Sequence, residues 1–279
     1  MSDPDVERYL AGAALYGDDF DDAQIAAWLA DEKQGYADLG AKDACQYSYE
    51  YHAWNWLHGY RHLPKQEFRH VLGFGSAYGE ELLPILPRIG SVTIVEPSGV
   101  FVRSDIGGVA VRYVEPGVGG ALQFPAETFD LVTCFGVLHH LPNVSFVVRE
   151  LARSMRSGGY LLLREPIVSM GDWRQPRRGL TRHERGIPLA ILEQIVRTCG
   201  LQTFQRALCG MAPAERLFRH IRRDVYNSRV LARIDAGLSA AFAWNVNYHP
   251  RSLLQRFRPT GVYLVLRKTD AGSPCCANG

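Results

Sequence analysis

The sequence has little net charge and no long apolar run. Its 31 lysines and arginines nearly balance 29 acidic residues, which leaves a formal charge of +2 over 279 residues. Binding to nucleic acids or membrane surfaces usually relies on an excess of positive charge, so we expect neither kind of partner. No apolar stretch approaches the ~20 residues of a membrane span. The acidic start, Met1 to Glu7, also lacks the apolar segment of a secretion signal, and together these absences predict a cytoplasmic protein.

Cysteine is scarce and irregularly placed. Cys45, Cys134, Cys199 and Cys209 are far apart, and the last two cysteines are adjacent in a polar tail. Neither arrangement has the spacing of zinc ligands or of a disulfide framework. We therefore expect buried thiols in a reducing compartment and no metal site.

What the sequence does contain, from about His70, is an alternation of short apolar runs and helical stretches. Alternation of this kind is typical of a parallel sheet with helices on both faces, and ligands bind such a sheet at the carboxyl ends of its strands. A helix over Pro188 to Cys199 follows. The predicted strands are Val71–Phe74, Val92–Val95, Val109–Val114, Leu131–Cys134, Tyr160–Arg164, Leu201–Leu208 and Gly261–Lys268.

The residues before this alternation have a helical pattern, predicted as Val6–Tyr16, Asp22–Asp38 and about Ala44–Tyr60. The third stretch is dense in aromatic residues, and helical spacing would place Tyr47, Tyr51 and Trp54 on one face. Such a helix either packs on the core or forms a lid whose rings contact a substrate. The predicted organisation is a helical N-terminal lid over 1–65, a core over 66–208 and 260–269, a helical cap insertion over 209–259 and a flexible tail over 270–279.

A glycine-rich segment, Gly73 to Gly79, links the first strand to a predicted helix over Glu80 to Leu86. Glycine allows a positive φ and a close approach of backbone to a ligand. The second strand ends at Glu96, the place where an acid reaches a ribose diol in nucleoside-binding α/β folds. Alone, this pattern is also compatible with an ordinary packing turn.

Four segments taken together resemble the class I S-adenosylmethionine-dependent methyltransferases, and among them the methyltransferase type 11-like enzymes that methylate sugars and natural products. They are His70–Gly79, Glu96, Phe129–Asn143 with its Leu-His-His-Leu-Pro turn, and Leu151–Pro166 with its Ser-Gly-Gly-Tyr strand entry. The resemblance implies a Rossmann-like doubly wound sheet, mostly parallel, that ends in an antiparallel hairpin of the last two strands.

The resemblance also implies S-adenosyl-L-methionine as cofactor, S-adenosyl-L-homocysteine as product, and a set of residues around them. Three positions depart from the family: Gly73 and Val118 stand where an acid is usual, and Ala77 stands where glycine is usual. The methyl group of Ala77 is tolerable there if its φ is negative. The implied cofactor-binding residues are Gly73, Gly75, Ser76, Ala77, Gly79, Glu96, Pro97, Ser98, Val118, Gly119, Cys134 and Phe135.

His139, His140 and Glu165 are the candidate catalytic residues. The methyl group of a sulfonium is already activated, so a hydroxyl acceptor needs correct placement and a base for its proton. A histidine can accept a proton near neutral pH, and a neighbouring carboxylate can orient its ring. The sequence leaves open which histidine faces the cleft and which one packs against the following helix.

The candidate substrate-binding residues are Tyr51, Trp54, Arg174, Arg177 and Arg178. The three arginines lie in a long loop after Glu165 and favour an anionic small-molecule acceptor, unless they are solvated or paired with nearby acids. We therefore expect O-methylation of a sugar or of a glycosylated or anionic metabolite. The alternatives are an RNA methyltransferase, a catalytically inactive scaffold with this fold and, more distantly, a nicotinamide-dependent oxidoreductase.

Overall fold

The computed structural model of the chain describes residues 3–39, 47–175, 177–211, 213–214, 220 and 225–269. The predicted tail over 270–279, the start of the predicted third helix and part of the predicted cap lie outside the described residues.

A mixed sheet of eight strands forms the centre of the described structure, in the order β3-β4-β2-β1-β5-β6-β8-β7. The strands β1, β2, β4, β5 and β6 are parallel, while β8 and β7 are antiparallel to their neighbours and form the terminal hairpin. This confirms the predicted Rossmann-like fold class. The bounds are β1 Phe68–Phe74, β2 Ile89–Val95, β3 Asp105–Ile106, β4 Val109–Val114, β5 Phe129–Phe135, β6 Met155–Pro166, β7 Leu201–Met211 and β8 Pro259–Lys268.

Consecutive residues of the central strands bury their side chains on opposite faces of the sheet. Leu72, Val132 and Leu163 belong to one apolar cluster, whereas Val71 and Leu131 belong to the other. Burial on both faces explains why these strands have continuous apolar runs rather than an alternating pattern. No helix in the described part of the chain is both long enough and apolar enough to cross a membrane.

Six α-helices have both ends within the described residues, with α4 and α5 packed on one face of the sheet and α3 and α6 contributing to the cluster on the other. The helix predicted from Asp22 is confirmed, but α1 ends at Leu10, shortly before Gly12 adopts a φ of +73°. The helices are α1 Asp3–Leu10, α2 Asp22–Leu39, α3 His52–His58, α4 Val144–Ser154, α5 Leu189–Thr198 and α6 Arg229–Ala241.

Residues 47–51, which we call the tyrosine lid, are not helical, so the prediction of one helix through Tyr47, Tyr51 and Trp54 is wrong. Their backbone pairs instead with a distant side chain. The amide nitrogen of Asn227 donates to the carbonyl of Tyr49 at 2.9 Å, and the Asn227 oxygen accepts from the N–H of His52 at 2.7 Å. Tertiary hydrogen bonds thus replace helical ones up to the start of α3.

The predicted helix after the glycine-rich segment is a 3₁₀ helix over Glu80–Arg88 rather than an α-helix. Pro84 and Pro87 lie inside it, and proline has no N–H to donate to the preceding turn. The prolines therefore interrupt the row of backbone hydrogen bonds that a regular α-helix would need over this segment.

Candidate active site

A cavity of about 570 Å³ opens at the carboxyl ends of β1, β5 and β6. One wall is the backbone of residues 75–77, and another contains Phe135 and Gly136, which end β5. The tyrosine lid covers the cavity with Tyr47, Tyr49 and Tyr51. The position agrees with the rule that ligands of parallel sheets bind where the strands end.

The glycine turn, Gly73 to Gly79, has three residues with positive φ: Gly75 at +66°, Ala77 at +45° and Gly79 at +71°. The condition that Ala77 has a negative φ is therefore not met, and its backbone carries strain that glycine would not have. Two hydrogen bonds hold this conformation. The Ala77 N–H donates to Glu96 Oε2 at 3.1 Å, and the hydroxyl of Tyr113 donates to the Ala77 carbonyl at 2.9 Å.

Gly73 has no room for a side chain, because a Cβ there would lie 2.5 Å from the hydroxyl oxygen of Ser76. The Ser76 side chain thus occupies the space that a side chain at position 73 would need. A different acid, Glu81, lines the same cavity and is almost fully buried. Burial raises the pKa of Glu81 to about 7, partly offset by hydrogen bonds from Ser76 and Thr133. Glu81 was not predicted as a site residue from the sequence. Its position among apolar residues directly after the glycine turn was the signal that could have indicated it.

Glu96 is half-buried at the end of β2 and turns its carboxylate towards the glycine turn. Besides the bond from Ala77 it accepts a longer one from the Ser98 N–H, at 3.4 Å. Burial raises the pKa of Glu96, against the lowering effect of these two bonds. Pro97 is exposed, and Ser98 accepts from the Val100 N–H. Glu96 approaches the cavity across Ala77 rather than lining it directly.

Three further predicted cofactor residues lie off the cavity wall. Val118 is 86% exposed, and Gly119 is buried with its carbonyl bonded to the Asn143 side chain at 2.8 Å. Cys134 is fully buried in the apolar cluster on the other face of the sheet, whereas its neighbour Phe135 lines the cavity. Alternation of side chains along a strand separates these two neighbours.

Of the two predicted substrate-binding aromatic residues, Tyr51 lines the cavity and Trp54 lies behind it. Trp54 is buried and stacks on Tyr226, with the ring centroids 4.0 Å apart. Tyr51 stacks on the same Tyr226 ring at 5.5 Å. The lid and the predicted cap are thus joined by a stack of aromatic rings.

His139 is the histidine that lines the cavity, and it belongs to a short turn, Leu138 to His140, that we call the histidine turn. Its Nδ1 lies 2.8 Å from Glu165 Oε2, and its Nε2 lies 3.6 Å from Glu184 Oε1. The Glu165 carboxylate also accepts from the backbone N–H groups of Val137, Leu138 and His139. This carboxylate is fully buried and fixes both the turn and the imidazole.

The two carboxylates change how His139 titrates. Burial alone would lower its pKa, but the hydrogen bonds and charges of Glu165 and Glu184 outweigh burial and raise it to about 9. The same contact acts on Glu184: burial would raise its pKa, yet the bond from His139 lowers it to about 2. At neutral pH, His139 is therefore mainly protonated, with one carboxylate at each ring nitrogen.

His140 faces away from the cavity. Its Nδ1 lies 3.2 Å from Glu32 Oε2 of α2, and the indole N–H of Trp28 donates to its carbonyl at 2.7 Å. Burial lowers its pKa, as does the charge on His139. The geometry thus distinguishes the two histidines that the sequence left equivalent.

His139, His140 and Glu184 also form a group that could hold a metal ion, with one ligand atom from each lying within 4.8 Å of the others. Two imidazoles and a carboxylate are ligands that zinc and similar ions accept. The sequence did not suggest this group, because Glu184 is far from the histidines along the chain. The metal-free prediction remains a prediction.

The loop over residues 167–188, which we call the arginine loop, does not direct its predicted arginines to the cavity. Arg174 pairs with Asp172 at 2.7 Å, and Arg178 is exposed. Arg177 donates to the carbonyls of Met170, Thr181, Arg182 and Glu184 and so stabilises the loop itself. The arginine that does line the cavity is Arg164 in β6, which the sequence did not single out.

A second arginine of this loop supports the site from behind. Arg185 is fully buried beneath the ring of Trp28. It donates to the backbone carbonyls of Tyr16, His139, Leu141 and Pro142. His183 of the same loop stacks on Trp28 at 4.6 Å and lies 2.7 Å from Asp31. Helix α2 and the arginine loop together enclose the histidine turn.

Comparisons with known proteins concern the family and the fold. A family model described as "Methyltransferase domain" matches residues 72–163. The chain is 31% identical over 100 residues to the uncharacterized methyltransferase YcgJ of Bacillus subtilis, covering 33% of this chain and 39% of that protein. It is 37% identical over 54 residues to a ubiquinone biosynthesis O-methyltransferase of Pectobacterium carotovorum, covering 19% of this chain and 23% of the relative. The matched part of the chain thus spans less than half the length of either relative.

Solved structures share the fold at low sequence identity. An S-adenosylmethionine-dependent methyltransferase from Mesorhizobium loti has a TM-score of 0.50 at 14% identity, covering 75% of this chain and 94% of that one. The N-methyltransferase NodS of Bradyrhizobium japonicum, solved with S-adenosyl-L-homocysteine, has a TM-score of 0.52 at 14% identity, covering 86% of this chain and 100% of that one. At this identity the likeness concerns the fold alone.

Proposed function

Residues 72–163 are a class I S-adenosylmethionine-dependent methyltransferase domain, and from this premise we propose that the protein methylates a hydroxyl of a small molecule. The observation that carries the proposal is the shared cavity. The glycine turn lies on one side of it, and His139, held by Glu165, lies on the other. A methyl donor and a proton acceptor would therefore face the same enclosed space.

The residues around the glycine turn fit an adenosyl cofactor. Ser76 and Ala77 lie on the cavity wall, and the Glu96 carboxylate is close behind them at the Ala77 N–H. We propose that Glu96 exchanges this backbone bond for the ribose hydroxyls, and that Phe101 and Phe135 contact the flat and apolar parts of the cofactor. Glu81 would accept a hydrogen bond from its ammonium group and replace the acid missing at Gly73.

The bound cofactor supplies an activated methyl group, and the chain supplies position, exclusion of water and a proton acceptor. The tyrosine lid covers the cavity and limits the entry of water. His139 would take the proton of the acceptor hydroxyl on Nε2, while Glu165 holds Nδ1 and stabilises the charged ring. Because its pKa is about 9, His139 is a strong base but is seldom free of its own proton at neutral pH.

The proposed acceptor is a sugar or another small metabolite, and a cavity of about 570 Å³ favours a small molecule over a polymer. The near-neutral net charge of +2 weighs against RNA. The O-methyltransferase among the curated relatives supports the choice of oxygen only over the 23% of its length that this chain matches. An N-methyltransferase shares the fold, so the methylated atom rests on the histidine base alone.

Calorimetry with S-adenosyl-L-homocysteine tests the cofactor part. Wild-type protein should bind it, and Glu96→Ala should weaken binding by more than ~1 kcal/mol, the scale of a charge-assisted hydrogen bond. Glu67→Ala is the control, because Glu67 is exposed at the opposite end of β1. If the wild-type protein binds no cofactor, the remaining interpretation is a catalytically inactive scaffold with this fold.

Methyl transfer to a panel of hydroxylated sugars, phenols and hydroxy acids tests the acceptor part by mass spectrometry, with the matching amines and an RNA pool as competing classes. Product only on hydroxyls supports the proposal. Product only on amines, or on RNA in a salt-dependent reaction, contradicts it.

A further inference from the structure

Among the described residues that line the cavity, Arg164 is the arginine. It follows Leu163 near the end of β6 and pairs in register with Phe135 of β5, and its carbonyl accepts from the N–H of Gly136 at 2.7 Å. Both Phe135 and Gly136 line the same cavity. Arg164 is also next to Glu165, so it lies on the side of the cavity where the proposed base is held.

Aromatic rings position the guanidinium. Its central carbon lies 4.2 Å from the ring centroid of Tyr51 and 5.4 Å from those of Trp54 and Phe135. One terminal nitrogen donates to the side-chain oxygen of Asn55 at 2.9 Å. Rings on several sides hold a planar cation in place without using its N–H groups, so most of its donors remain for another partner.

The charge of Arg164 is not balanced within the described part of the chain, where no carboxylate lies within ion-pair distance of it. A half-buried cation without a counter-ion has lost part of its hydration and gains strongly from an anion that enters the site. Glu81, the acid on the same cavity, has a pKa raised to about 7 and is therefore partly neutral near physiological pH. One positive charge is left for a ligand to neutralise.

We propose that Arg164 binds a carboxylate group of the methyl acceptor, and that the substrate is therefore a small hydroxy acid. This inference rests on the proposed function. The fork of N–H donors matches the two oxygens of a carboxylate, and a monoanion balances one guanidinium. A phosphate dianion would leave an excess negative charge beside Glu81 in a poorly hydrated cavity.

This assignment moves anion recognition from the arginine loop to the sheet. Arg177 already bonds four backbone carbonyls, and Arg178 is exposed away from the cavity. Arg164, by contrast, is set on a rigid strand and held between rings. Arg178→Met is therefore a matched control for Arg164→Met, because both remove one arginine charge.

Calorimetry on protein saturated with S-adenosyl-L-homocysteine tests the proposal with two pairs of probes: para-hydroxybenzoate with para-hydroxybenzamide, and D-glucuronate with D-glucose. The acid of at least one pair should bind wild type and Arg178→Met about tenfold or more tightly than its neutral partner, as expected for a charge-assisted bidentate contact. Arg164→Met should remove this preference, and Arg164→Lys should retain only a minor part.

Several outcomes would overturn the proposal. These are wild-type protein with no preference for either acid, a preference that survives in Arg164→Met, and tighter binding of methyl phosphate than of either carboxylate. Loss of S-adenosyl-L-homocysteine affinity in Arg164→Met, with 5′-methylthioadenosine affinity unchanged, would assign the guanidinium to the amino-acid end of the cofactor instead.

The proposed function is contradicted by a different result, namely that the wild-type protein does not bind S-adenosyl-L-homocysteine. Should Arg164→Met not fold, as judged by circular dichroism, the wild-type preference and its reduction in Arg164→Lys still decide the question.

Discussion

Individual side chains set the chemistry of the cavity, and His139 gives the most direct prediction. Its pKa is raised to about 9, so the basic form increases as the pH rises through this value. The rate of hydroxyl methylation at saturating substrate should therefore increase from pH 7 and level off above about 9. His139→Gln should lower the rate by two or more orders of magnitude, and His140→Gln should have a much smaller effect.

The pH–rate profile of Glu184→Gln provides the control. Removing one of the two anions that stabilise the charged ring should move the rise in rate to lower pH. A rate that is flat between pH 6 and 10, or that is equally sensitive to both histidines, would contradict a histidine base.

The group of His139, His140 and Glu184 gives a second prediction at this scale. The two ring nitrogens of protonated His139 are already directed at Glu165 and Glu184, and a metal ion would have to displace a proton from one of them. We therefore expect dialysis against a chelator to change neither the rate of methyl transfer nor the melting temperature. Activity that is lost on chelation and restored by zinc would show that the group is a metal site.

Ala77 has a φ of +45°, which an L-residue with a Cβ adopts only at a cost. Ala77→Gly should therefore raise the free energy of unfolding by about 1 kcal/mol, measured in urea. Ala236→Gly, in the interior of α6, is the control with the opposite sign, because glycine in a helix is destabilising by ~1 kcal/mol. Destabilisation by both substitutions would mean that Ala77 is not strained.

Site residues could be predicted from the sequence where they directly follow a strand. They could not be predicted where segments that are distant in sequence meet in the fold. Glu165 and Phe135 end apolar runs; Phe135 lines the cavity, and Glu165 contacts His139, which lines it. Glu81, Glu184 and Arg164 went unnoticed because no local pattern distinguishes an acid or arginine that faces a cavity from one that faces solvent. Cys134 shows the reverse error, since a shift of one residue along a strand changes the face.

At the scale of elements, the tyrosine lid depends on one side chain from the predicted cap. Asn227 bonds the lid at Tyr49 and the start of α3 at His52. Asn227→Ala should release the lid, which increases the rate of proteolytic cleavage within residues 47–51 and weakens binding of S-adenosyl-L-homocysteine several-fold. Gln202→Ala, on an exposed position of β7, is the control. Unchanged cleavage and affinity would mean that the aromatic stack alone holds the lid.

The sheet and most helices follow from sequence periodicity, because their hydrogen bonds are local or run between strands of continuous apolar residues. The lid and the 3₁₀ helix after the glycine turn do not. In the lid, hydrogen bonds to Asn227 override helical propensity. In the 3₁₀ helix, Pro84 and Pro87 are visible in the sequence and indicate a tighter, irregular helix.

At the scale of the whole molecule, Arg185 connects parts of the chain that are far apart in sequence. Its four carbonyl partners belong to Tyr16 and to the histidine turn and the residues after it. Arg185→Met should cost roughly 3 kcal/mol or more in unfolding free energy, because it leaves buried carbonyls without donors. Arg182→Met, at an exposed ion pair of the same loop, should change the unfolding free energy little. If both variants lose a similarly small amount of unfolding free energy, the buried guanidinium of Arg185 is not needed for stability.

The pair Arg164-Glu165 has a consequence for how this protein can evolve. Consecutive side chains of a β-strand point to opposite faces of the sheet. Arg164 therefore faces the cavity, while Glu165 lies beneath the histidine turn. An insertion or deletion of one residue upstream in β6 would move both side chains to the opposite face, so that neither would keep its present contacts. If the proposed roles hold, acceptor selectivity and the basicity of the imidazole change together, and new substrates are more accessible through changes in the tyrosine lid than through changes in this strand.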